Sequence, residues 1–209
     1  MRKKKSEILN IIREEIANNI KSYILVVILF IVGLFLGVLF INQAEDQKNI
    51  IQYINTYIDE IKMLENKSTI MQLKEDIRSN IFLTFLLWFA GTTIVGIPIV
   101  FGIIMIRGFC LGYTISACVI ALGKIKGLIF IILTIFLQNL ILIPALLFLG
   151  VSSIKLYKSI VKDRRKENIK ISILKHSIIS IIILIILIIA SLIKIEISYN
   201  LILLFAKYF

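Results

Sequence analysis

Residues 81–122 read IFLTFLLWFAGTTIVGIPIVFGIIMIRGFCLGYTISACVIAL, 42 residues holding a single charge, Arg107. At about 1.5 Å of rise per helical residue the stretch spans roughly 63 Å, twice the hydrocarbon thickness of a bilayer. It therefore predicts two crossings, over 81–106 and 108–122, joined by a tight turn at Ile106–Gly108. There the Arg107 guanidinium would reach the headgroups and Gly108 would relieve backbone crowding.

The pattern repeats outward. Tyr23 to Ile41 carries no charge and predicts a first span. A fourth, 128–149, follows the connection Gly123-Lys124-Ile125-Lys126-Gly127, and a fifth runs over 177–193. Residues 1–22 are basic, and Ile8, Ile12, Ile16 and Ile20 recur every four positions, as on one side of a helix lying along headgroups. The apolar run after them exceeds a signal peptide's 7–15 residues, so the first span is read as an uncleaved anchor. Residues 194–209 read as an interfacial tail. The chain is thus expected to be one membrane domain over 1–209, an all-α polytopic bundle of about five spans.

Composition agrees: 59% hydrophobic residues and a mean hydropathy of +0.97 leave too little polar surface for a water-soluble globule. The net charge of +11 comes without a basic stripe interleaved with aromatics, which argues against nucleic acid and for membrane lipid as the contact. Fifteen Lys and Arg fall on the side of residues 1–21, Arg107 and 150–175, against nine on the other. The bias puts the N-terminus in the cytoplasm and the C-terminus outside, with 42–80 extracytoplasmic and 150–176 a basic cytoplasmic loop.

The outer segment is amphipathic. Ile50, Tyr53, Ile54, Tyr57, Ile58, Ile61 and Leu64 follow a three-four spacing, while Gln52, Asn55, Asp59, Glu60 and Lys62 take other positions. Such a helix either packs on the protein's own spans or lipid interface, or offers Ile54, Ile58 and Ile61 to another protein.

Catalytic, metal-binding and cofactor-binding constellations are not apparent. The single histidine, His176, is expected at the start of the fifth span, away from any plausible nucleophile, and in a structural role. Cys110 and Cys118 lie in one apolar run and read as small core residues. The predicted spans hold no Asp or Glu, which weakens an ion-coupled transport reading.

What the spans do hold is packing chemistry. Gly33 and Gly37, and Gly108 and Gly112, stand at GxxxG spacing and allow close helix approach, within the chain or to a partner helix. Gly91, Gly96 and Pro98 mark the second span, and Gln138, Asn139 and Pro144 the fourth. Both prolines are expected to kink their helices, and the amides to bond across helices or line a path.

In order and spacing, Asn80, Phe89-Ala90-Gly91, Gly96-Ile97-Pro98, Arg107 to Tyr113, Phe136 to Asn139, Pro144-Ala145 and Gly150 resemble the stage II sporulation protein M family, closely over 80–158 and by layout elsewhere. Many family members outside sporulation have Asn where this chain has Arg107 and an acid where it has Leu142, so no role for those polar residues carries over. The resemblance implies a noncatalytic membrane scaffold for forespore engulfment in an endospore-forming bacterium, at the mother-cell septal membrane. Its implied partners are two peptidoglycan hydrolases, sporulation proteins D and P. The alternative is a permease subunit whose basic segment from Lys155 to Lys175 meets an ATPase.

Overall fold

A computed structural model describes residues 13–43, 47–63, 67–93, 95–132, 136–161 and 169–205, which are helical apart from short turns and include no strand. Seven helices carry the fold: α1 (Ile20–Asn42), α2 (Gln47–Met63), α3 (Lys67–Thr92), α4 (Gly96–Leu122), α5 (Lys124–Ile131), α6 (Leu137–Val161) and α7 (Ile169–Phe205). Four of them are long and apolar enough to cross a membrane: α1, α4, α6 from Gln138, and α7 as far as Ile195. The chain is a multi-pass membrane bundle. α3 is apolar only in its second half, Lys67–Ser79 being mostly polar, yet it lies along α7 and completes about five crossings.

The expected turn at Ile106–Gly108 is not where the chain reverses. α4 runs unbroken through it, and the break falls at residues 93–95. Local chemistry accounts for this. The Thr92 and Thr93 hydroxyls donate to the carbonyls of Phe89 (2.8 Å) and Ala90 (3.1 Å), satisfying acceptors that the end of α3 leaves open. Gly96 then packs so tightly on the Ala90 carbonyl that a Cβ would overlap it. Pro98 stands in the first turn of α4, where no intrahelical N–H bond is lost, so it starts a helix instead of kinking one. Pro144 does lie inside α6.

Other boundaries shift too. The segment expected as an outer loop, 42–80, contains α2 and the start of α3, with no break at 80. α6 continues past Leu149 to Val161, and α7 begins at Ile169, inside the expected basic loop and ahead of the expected start at 177. α7 also runs through the expected tail as far as Phe205. Residues 1–12, with Ile8 and Ile12, lie outside the described residues. Gly123, at φ +81°, takes a conformation nearly exclusive to glycine and turns α4 into α5.

The core gathers Leu87 from α3, Val100 and Ile104 from α4, Leu142 and Leu146 from α6, and Leu187 from α7, each at most 1% exposed. α1 packs mainly on α4. The four glycines make that seam: a Cβ on Gly33, Gly37, Gly108 or Gly112 would overlap the backbone carbonyls of Met105, Phe109, Phe30 and Leu34 respectively. The matched pairs advance together, so α1 and α4 are parallel. The hydrogens that replace the Cβ atoms point at carbonyls, and such Cα–H···O contacts stabilise by about 0.5–1 kcal/mol each.

Candidate functional site

The polar residues of the bundle form a ladder between α3, α6 and α7. At one end Lys194 of α7 meets Asp76 of α3 at 2.7 Å, each side chain about a quarter exposed (23% and 25%). One turn along α3, Asn80 donates to Ser191 (2.9 Å), which itself donates to the Leu187 carbonyl (3.0 Å). Further down, the Trp88 indole donates to Ser177 (2.9 Å), and Ser153 of α6 shares its hydrogen between the carbonyls of Leu87 (2.8 Å) and Leu149 (2.9 Å). These rungs are paired, as a polar group in hydrocarbon requires, whereas the Thr84 hydroxyl between Asn80 and Trp88 is buried with no hydrogen-bond partner among the described residues.

Arg107 lies mid-way along α4 and is half-buried. The expectation that it would reach headgroups from a turn is thereby corrected. Asp76 was outside the predicted spans, and its ion pair with Lys194 was missed. The one available signal was Asp76 and Asn80 standing one helical turn apart, opposite Lys194 and Ser191.

His176 is buried at 2% exposure, and its Nδ1 lies 2.9 Å from the Ser152 hydroxyl, contrary to the expectation that no nucleophile would be near. A serine–histidine pair needs a third group to orient the ring. Here the opposite nitrogen, Nε2, lies 3.0 Å from where a Gly91 Cβ would stand and has no partner in hydrogen-bond geometry, although the Trp88 backbone is near enough to interact. The pair packs α6 on α7 instead of forming a triad. Gly91 is the small residue that admits both the imidazole and the Ser153 backbone. Among the described residues no group of three metal-ligating side chains occurs. Gln138 is buried and Asn139 half-buried near the start of α6. Cys118 is buried as expected, whereas Cys110 is exposed.

At the Lys194 end, α2 lies across α4 and α7. Ile54 is 7% exposed, seated among Ile41, Ala117, Cys118 and Phe130. At this position the amphipathic helix serves the protein's own core. The side chains of Ile58 and Ile61 lie outside the described residues. Gln52, Tyr53, Asn55 and Thr56 of α2 are all exposed; Tyr53, expected on the apolar face, stands at 72%.

The stage II sporulation protein M family model matches residues 26–197, from within α1 to near the end of α7. The chain belongs to that family. No curated protein and no solved structure matches it. It is thus a sporulation-related multi-pass membrane protein. The stage II sporulation protein M landmarks have physical positions here. Asn80 anchors α3 to α7, and Gly91 admits His176. Gly96 and Pro98 shape the α3–α4 break, and Gly150 accepts the Ile104 side chain. Leu142 is a core residue at 1% exposure.

Proposed function

We propose that this chain is a noncatalytic scaffold of forespore engulfment that holds the peptidoglycan hydrolases, sporulation proteins D and P, at the mother-cell septal membrane. Family membership supports the setting. The observation that carries the docking role is the seating of α2: Ile54 is buried in the bundle, which leaves Gln52, Tyr53, Asn55 and Thr56 exposed and supports reading them as a platform. The Lys and Arg bias places that platform outside, where wall enzymes work. A Tyr flanked by amides and a hydroxyl suits a modest, partly polar interface, Tyr being enriched at interface hot spots. The bundle supplies anchorage and the hydrolases the chemistry.

The test is co-purification from sporulating cells. Replacing Gln52, Tyr53 and Asn55 together by Ala should reduce recovery of the hydrolases at unchanged membrane abundance, and undiminished recovery would sink the platform reading. Muropeptide release by the purified chain alone would remove the noncatalytic part. Deletion should block engulfment. Recovery of an ATPase in place of the hydrolases would favour the permease alternative.

A further inference from the structure

At the end of the bundle away from α2, a cavity of about 510 Å³ opens between the residues leading into α1, the second half of α6 and the first turns of α7. The volume falls within the range of small-ligand sites. Its lining is of two kinds: Lys155, Lys175, Glu15 and the Ser152 hydroxyl are polar, and Phe148, Ile178 and Ile179 are apolar. A ligand that satisfies both has a polar head and an apolar body.

Charge narrows the head. Glu15 accepts from Lys155 through both oxygens (2.8 and 3.0 Å) and from the Asn19 amide (3.1 Å), so that pair is internally neutral. Lys158, just outside, donates to Ser22 (3.2 Å). Lys175 makes no ion pair among the described residues. Two lysines against one glutamate leave the lining with one positive charge, which matches a singly charged anion. The apolar lining fixes the body. Ile178 lines the cavity and is also 49% exposed, continuous along α7 with exposed Leu174, Ile181 and Ile182. The cavity thus opens sideways onto the surface that meets acyl chains.

We propose that this cavity seats one singly charged anionic phospholipid, with its phosphodiester between Lys175 and Lys155 and its chains along Ile178 on the lipid-facing side of α7. Basic recesses between spans suit such headgroups. The site ties the entry to α1, the end of α6 and the start of α7 into one unit through the lipid.

The experiment uses the full chain in nanodiscs of phosphatidylcholine with a minority of phosphatidylglycerol, read by native mass spectrometry. One phosphatidylglycerol should be retained in preference to phosphatidylcholine. Lys175→Gln should lower that retention about fivefold, the effect of one lysine near an anionic headgroup, while Lys126→Gln at the other end of the bundle should not. Equal retention of the two lipids, or an equal loss in both variants, overturns the proposal. So does displacement of the lipid by millimolar inorganic phosphate, which would identify a free-anion site. A reading on the unmutated chain comes from photoreactive diacyl probes: phosphatidylglycerol should label Leu174–Ile182 in excess over phosphatidylcholine, and equal labelling refutes the seat.

Discussion

Four hydrogen atoms set how closely α1 and α4 approach, because each stands where a side chain would strike the opposing backbone. Gly108→Ala and Gly37→Ala should each destabilise the protein by about 1–3 kcal/mol, the usual cost of overpacking a tight contact. Gly102 has nothing within 4 Å of a Cβ, so Gly102→Ala should be neutral or gain up to about 1 kcal/mol from helix propensity. Thermal unfolding in detergent compares the three, and equal effects would refute the seam as the reason for glycine. The Asp76–Lys194 contact calls for a different experiment. Asp76→Asn and Lys194→Gln each leave a partner behind, so the double variant should be less damaged than the sum, with a coupling of about 0.5–3 kcal/mol. The glycines were legible in the sequence because a four-residue spacing is local. The ion pair was not, because its members are 118 positions apart and only the register of α3 on α7 brings them together.

Elements were legible to the extent that one signal dominated them. α1 was found almost to its ends because nothing competes with its apolar run. The α3–α4 reversal was misplaced because a lone arginine in an apolar stretch outweighed the Thr92, Thr93 and Pro98 signals that fix the break. Arg107 instead stays mid-way along α4, half-buried. The amphipathic period of α2 anticipates a buried Ile54 but not an exposed Tyr53, and periodicity does not say what covers an apolar position. The burial of Ile54 decides that. Ile54→Asp should cost at least about 2–5 kcal/mol, in the range of large core truncations, and lower membrane abundance together with hydrolase recovery. Normal abundance with selective loss of the hydrolases would show instead that this face meets the partner.

At the scale of the whole molecule, moving the turn to the α3–α4 break leaves the number of crossings, and with it the expected sidedness, unchanged. Only Arg107 leaves the tally, which becomes fourteen against nine. With both native cysteines replaced by Ala, Thr56→Cys should react with a membrane-impermeant thiol reagent in intact cells with permeable walls, and Lys170→Cys should not. The reverse labelling would invert the molecule. The parallel α1–α4 seam has a consequence in time. Gly108 and Gly112 leave the ribosome about 75 residues after Gly33 and Gly37, roughly 4–15 s later at ordinary synthesis rates of about 5–20 residues per second. Throughout that interval the nascent chain holds α1 in the membrane with its glycine groove open to any passing helix, including α1 of a neighbouring nascent chain. An α1 segment produced alone should therefore self-associate in a membrane reporter and lose that ability with Gly33→Leu, so the seam of the finished protein is one that a later helix must claim before a sister copy does.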